Sequence, residues 1–241
     1  MHGMSERFPM TDVLEKFPAL AIPGVAHGFV RRVPGVSVSQ DKTEVLALLK
    51  PWHQQAVTSL GFRDENVFTA EQTHGAETVA VTATSPRWTP SVDGLMTNEP
   101  GLMLGIHTAD CAPVYLVDPV RRAIALLHSG RKSTEAGITP RTVRLMAELY
   151  GTDPLDLIVQ IGPCIRPPLF EVDIASMIRH DAVAAGVPAG QVHDCATCTG
   201  SGVERYYSYR VEKGKTGRLL ALLGMEIRVA SPEALRNDMS T

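Results

Sequence analysis

Cysteine is scarce in this chain: four residues in 241. That is too few for a disulfide framework, so each thiol reads as a buried side chain, a ligand or a nucleophile. Excess charge is also lacking. Lys and Arg number 23 against 26 Asp and Glu, a net charge of -3, which excludes a basic nucleic-acid-binding surface and an acidic disordered tail. No apolar run reaches the roughly 18 residues that span a bilayer. The stretch Met1–Asp12 is polar and shows no basic-then-apolar leader pattern, so a cytoplasmic protein is expected. Aromatic residues are only 5 %, yet 44 % of the chain is hydrophobic, enough for one good-sized core.

Residues 1–22 read as a loosely ordered lead-in and 23–241 as one domain. Gly24–Arg32 reads as a strand broken by Pro34-Gly35. Gln40–Leu49 has helical spacing, with Val45, Leu48, Leu49 and Trp52 on one face and Pro51 as an interruption or kink. Asn66–Ala70 and Glu77–Thr84 are short β-rich runs. Ser85–Pro100 reads as a loop, with Gly94–Thr97 as a short strand within it. Leu102–His107, Ala112–Val117 and Ala123–Leu127 read as buried strands, the last two separated by Asp118-Pro119. A helix is expected from near Ser133 with Val143, Met146 and Leu149/Tyr150 inward, and Pro140 marks a second start or a kink. Leu155–Ile161 reads as a strand. Phe170–Ala184 and Arg218–Leu223 read as partly helical, and Tyr206–Val211 alternates weakly like a strand. Strands outnumber helices and do not alternate with them, which argues for α+β with mixed sheets.

Three polar residues stand where apolar strands stop: His74 in QTHG, Cys111 in HTADC and His128 in LLHSG. They are too far apart in sequence for a local metal motif. Two imidazoles and a thiolate nonetheless form a zinc set with an open fourth position. The same three residues also suit a cysteine nucleophile with a histidine base, or simply a buried thiol and two surface histidines. Arg131 and Lys132 precede the expected helix and suit a phosphate site or a solvated turn. Asp110 suits a ligand-orienting carboxylate or an Asx turn. His107 shares a strand face with Cys111 and can line a site there. Cys164 reads as turn packing. Cys195 and Cys198 have CxxC spacing, but only His193 stands near them as a further ligand, so a metal or redox role is weakly signalled.

Taken in order, HGFVRR, QTHG, DGLMT, GIHTADCAPVYLVDP, ALLHSG, IGPCI with FEV, CT, YYSYR and TGR resemble the polyphenol oxidase/laccase-domain family, also called YfiH-like proteins. The likeness runs from about His27 to Arg218. It implies the YfiH-like cysteine-hydrolase-type fold, with mixed sheets sandwiched by helices. It implies a metal set at His74, Cys111 and His128, and matched positions at Gln72, Asp93, Asp110, Glu171, Arg210 and Arg32. After His128 the family usually reads Ala-Gly-Trp-Arg-Gly; here the run is Ser129-Gly130-Arg131-Lys132-Ser133. His107 stands where an apolar residue is usual.

The activity implied is zinc-dependent phosphorolysis of adenosine, inosine or guanosine, with adenosine deamination in some members. The partners expected are a small nucleoside and phosphate, with no nucleic acid or membrane. Arg32, Arg131 and Lys132 are the candidates for holding phosphate. Three alternatives keep the same triad: copper-dependent polyphenol oxidation, a hydrolase in which Cys111 attacks, and a non-catalytic protein with structural zinc. One site with a single thiolate favours zinc over copper.

Overall fold

The computed structural model describes residues 9–39 and 41–227. The strands are β1 (Leu14–Glu15), β2 (Val25–Val30), β3 (Val67–Ala70), β4 (Thr78–Ala80), β5 (Trp88–Thr89), β6 (Gly94–Thr97), β7 (Met103–Thr108), β8 (Ala112–Asp118), β9 (Ala123–Ser129), β10 (Ile158–Ile161), β11 (Val192–Asp194) and β12 (Leu219–Met225). The helices are α1 (Lys42–Ser59), α2 (Arg131–Glu135), α3 (Ile138–Tyr150) and α4 (Ile174–Ala184). The strands form two mixed six-stranded sheets, ordered β1-β2-β12-β7-β3-β5 and β11-β10-β8-β9-β6-β4.

Side-chain alternation along the strands builds four layers. Phe29, Phe68, Leu104, Ile106 and Leu223 of the first sheet meet Leu95, Tyr115, Val117 and Leu126 of the second in a core between the sheets. The opposite face of the first sheet, with Val30, Leu220 and Leu222, packs under Ala56 and Val57 of α1. The opposite face of the second, with Val114, Leu116, Ala125 and Leu127, packs under α3 and α4 through Val143, Met146 and Ile178. Both faces of the central strands are therefore covered, which is why β8, β9 and β12 read as unbroken apolar runs. The Tyr115 hydroxyl donates to the Gly28 carbonyl at 3.2 Å and ties one sheet to the other.

The α+β class and the single-domain sandwich agree with the sequence reading; several local expectations do not. Arg218–Leu223 is not helical: Leu219–Met225 is the strand β12, paired on one side with β2 and on the other with β7. Its period of two is hidden because both faces are apolar. Tyr206–Val211 is a run of turns, not a strand; Glu212 accepts from the Ser208 amide at 3.0 Å and folds it back. α1 continues through Pro51 to Ser59. The apolar anchors beyond the proline, Ala56 and Val57, offset the lost backbone bond. Asp41 caps its start by accepting from the Glu44 amide at 2.9 Å. Pro140 sits in the first turn of α3, where an amide donor is not needed. The helix in Phe170–Ala184 begins only at Ile174, capped by Asp173. Residues 9–22 are not loose. β1 pairs with β2, and Phe17 and Leu20 enter the inter-sheet core; residues 1–8 of the expected lead-in lie outside the described residues. Among the described residues no helix is long and apolar enough to cross a membrane.

Candidate metal centre and active site

One end of the sandwich gathers the ends of several strands. The loop after β3 carries Gln72 and His74, the turn between β7 and β8 carries Asp110 and Cys111, β9 ends at His128 and Ser129, and Asp93 stands at the start of β6. His74, Cys111 and His128 offer one donor atom each, all within 4.8 Å of one another. The His74 and His128 rings meet edge-on at 4.8 Å. His74 is exposed, Cys111 half-buried and His128 buried, so the cluster opens to one side.

Asp93 is the organising residue. Fully buried, it accepts from the amides of Thr73, His74 and Gly75 at 3.1, 2.9 and 2.7 Å. It also bonds Nδ1 of His128 at 2.8 Å. One carboxylate thus holds the His74 loop in shape and leaves Nε2 of His128 for a ligand. His74 sits at φ +63°, Gln72 at +67° and Asp110 at +87°. Such left-handed conformations each cost about 1–3 kcal/mol in non-glycine residues and persist where surrounding bonds impose them.

The electrostatics favour a ligating thiolate. Burial raises the Cys111 thiol, but the charge and hydrogen bonds of His128 and His74 overcome this and bring it down to about 6. Burial would lower His128, yet the Cys111 thiolate and the Asp93 carboxylate hold it above its ordinary value. Metal binding would displace the proton His128 carries. The space fits a small ion as well: a Cβ on Gly130 would lie 2.6 Å from Sγ of Cys111 and 3.4 Å from the His74 ring. A soft thiolate, two imidazoles and an open side form a donor set for a borderline-soft divalent metal.

The cluster forms part of the wall of a cavity of about 850 Å³. Ile165, Phe170, Ile174 and Tyr209 give it an apolar side, and Lys42, Arg131, Arg210, Lys213 and Arg218 bring positive charge. Asp110 joins three wall segments. Its backbone carbonyl accepts from the Ile165 amide at 2.8 Å. Its carboxylate accepts from the Thr199 hydroxyl and the Arg210 amide, both at 2.7 Å. Gln72 clamps the backbone of His107, accepting from its amide at 2.9 Å and donating to its carbonyl. Glu171 bridges Arg131 at 3.4 Å and Arg210 at 3.2 Å across the mouth.

Not every expected residue arrives here. Arg32 is committed elsewhere: it pairs with Glu212 at 2.6 Å and lies over the Tyr207 ring at 4.3 Å, away from the cavity lining. Lys132 is exposed on α2 and is also absent from that lining. Of the three cations expected to face phosphate, only Arg131 reaches the cavity. Lys42 and Arg218 were missed. Lys42 begins a helix far from the recognisable blocks, while the TGR block pointed to Arg218 without giving it a role. Cys164 is buried, as its turn position suggests. Cys195 and Cys198 are free thiols outside the cluster.

Comparison with known proteins places the chain in a family and supports its fold. The sequence matches the family described as "Multi-copper polyphenol oxidoreductase laccase" over residues 34–176 and 171–226. The chain belongs to this family. Within reach of this laccase-family chain, the purine nucleoside phosphorylase SCO2081 of Streptomyces coelicolor is 35 % identical over 242 residues, covering 85 % of this chain and 97 % of that protein. The purine nucleoside phosphorylase YlmD of Geobacillus stearothermophilus is 30 % identical, covering 79 % and 82 %. The crystal structure of YlmD from Geobacillus stearothermophilus superposes with a TM-score of 0.79 at 26 % identity, covering 90 % of this chain and all (100 %) of that one. The layered sandwich of this laccase-family chain is thus shared with a solved structure.

Proposed function

We propose that the protein is a zinc-dependent purine nucleoside phosphorylase acting on adenosine, inosine or guanosine. The observation that carries this reading is the His74–Cys111–His128 cluster opening into a cavity with an apolar side and several cations. Two relatives named purine nucleoside phosphorylase, at 30 % and 35 % identity, support it.

In the reaction a phosphate oxygen bonds to C1′ of the ribose as the C1′–N9 bond breaks. The bond's electron pair leaves with the base, which takes up the proton that the attacking hydrogen phosphate gives up, and ribose 1-phosphate remains. Cations of the wall compensate the phosphate charge, and Ile165, Phe170, Ile174 and Tyr209 offer an apolar surface to the planar base. His74, Cys111 and His128 would hold zinc, which when bound supplies Lewis-acid polarisation of a substrate atom. Asp93 keeps two of the three ligands oriented, and Asp110 keeps the wall segments together. In this reading Cys111 is a ligand and not the attacking group.

Deamination of adenosine at the same centre is the second activity of this reading; it yields inosine without phosphate. Copper-based phenol oxidation, which the family's name suggests, finds less support: among the described residues a single three-ligand cluster is present. The test is incubation of metal-quantified protein with adenosine or inosine, with and without phosphate. Phosphate-dependent release of base and ribose 1-phosphate supports the phosphorylase; product from neither substrate sets it aside.

A further inference from the structure

We propose that Lys42, Arg218 and His107 form a phosphate-binding subsite on the cavity wall built by α1, β7 and the start of β12. Lys42 is the first residue of α1, His107 lies near the end of β7, and Arg218 immediately precedes β12. All three line the cavity that holds the metal cluster. The identification of inorganic phosphate as the occupant rests on the phosphorylase reading; the anion site stands on the following observations.

Lys42 and Arg218 face the cavity without a carboxylate partner. Nζ of Lys42 donates to the Glu71 carbonyl at 3.3 Å. The Arg218 guanidinium donates to the Gly217 carbonyl at 2.8 Å. Neither forms a salt bridge among the described residues, whereas Arg131 and Arg210 at the mouth are both tied to Glu171. Desolvation and then the charge of Arg218 lower the Lys42 ammonium, against the raising charges of Glu71 and Asp93; desolvation lowers the Arg218 guanidinium. Two partly buried cations on one cavity wall, neither of them in a salt bridge, fit a doubly charged oxyanion, which gains charge-assisted hydrogen bonds from both.

His107 adds a neutral contact. Burial, and then the charges of His53, Lys42, Arg218 and His128, hold its imidazole well below the ordinary histidine value. It therefore faces the cavity neutral, with one donor and one acceptor nitrogen. Gln72 fixes its backbone. Behind it stands His53 of α1, ring to ring at 5.5 Å. His53 is 8 % exposed, and its Nε2 is buried without a hydrogen-bond partner. The histidine pair thus packs α1 against β7 and leaves a buried nitrogen unsatisfied beside the subsite. The nearby carboxylates are engaged elsewhere: Asp93 by three amides and His128, Glu71 by the Ser91 amide at 2.7 Å, and Glu171 by Arg131 and Arg210.

Calorimetric titration of the metal-loaded protein with inorganic phosphate, and separately with adenosine 5′-monophosphate, tests the subsite. Lys42→Gln and Arg218→Gln should each weaken phosphate binding about tenfold or more, the usual effect of losing one charge-assisted contact. His107→Leu should weaken it several-fold. Arg32→Gln, whose partner is Glu212, should leave it within about twofold. If Arg218→Gln does not fold, Arg218→Lys keeps the charge but not the fork and should show an intermediate loss. Binding lost for the monophosphate but never seen for free phosphate keeps the oxyanion subsite and overturns its assignment to the inorganic ion. Phosphate bound with unchanged affinity by both the Lys42 and Arg218 variants, or not bound by the wild type with either ligand, overturns the proposal. Binding that depends on these residues in a protein that releases no base keeps the subsite and sets aside the phosphorylase reading alone.

Discussion

Replacing Asp93 by asparagine removes the residue on which the candidate centre depends. Its carboxylate is fully buried and receives three backbone amides and Nδ1 of His128. An asparagine of the same shape offers only one acceptor oxygen and turns an NH₂ toward groups that themselves donate. Removing one partner from a buried charge-assisted network costs about 3–5 kcal/mol. The contacts share one carboxylate, so their separate losses do not add. Freed from Asp93, the His74 loop also loses what holds its left-handed backbone, and His128 loses its fixed tautomer. Disturbing such a supporting carboxylate typically weakens metal binding about 10–100-fold. Urea unfolding gives the stability change, and competition with a chelator of known affinity gives the metal change. If Asp93→Asn stays within about 0.5 kcal/mol of the wild type, the size of an ordinary surface substitution, and binds metal equally well, the reasoning is wrong.

Other consequences follow from the same geometry. Gly130→Ala places a Cβ 2.6 Å from Sγ of Cys111, so metal content should fall by elemental analysis while the circular dichroism of the fold is kept. Cys111→Ser should lower metal content and activity together; activity lost with metal fully retained would favour a nucleophilic cysteine. Glu212 is raised by burial, but the Thr216 hydroxyl, the Ser208 amide and Arg32 bring it below the ordinary carboxylate value of 4.5. Its stabilising effect is therefore complete above about pH 4.5 and lost as pH falls through its lowered value. Glu212→Gln should be less stable at neutral pH and show a shallower decline in unfolding temperature through that acid range.

Much of the fold was legible because the strand pattern is strong. The buried runs that became β7, β8 and β9 announce strands with polar residues at their ends, and those ends carry His107, Cys111 and His128. Where the signal failed, tertiary burial had overridden it. β12 is apolar on both faces, so it shows no alternation and passed for helix. α1 outlasts its proline because packing beyond it outweighs the local defect. The His74–Cys111–His128 set was readable as a candidate because each residue stands where an apolar run stops, and the structure brings the three together. The cations that line the cavity were not, since charge near a helix start says nothing of where the side chain finds its partner. Arg32 found Glu212, 180 positions away in the chain, whereas Lys42 and Arg218 came to one wall only through the pairing of α1 with β12's sheet.

The most direct test of the central claim is the release of base from inosine by protein of known metal content, measured with and without phosphate. About one zinc per chain and ribose 1-phosphate formed only when phosphate is present is the predicted result. A zinc-loaded protein that releases no base, or releases it at the same rate without phosphate, would contradict it.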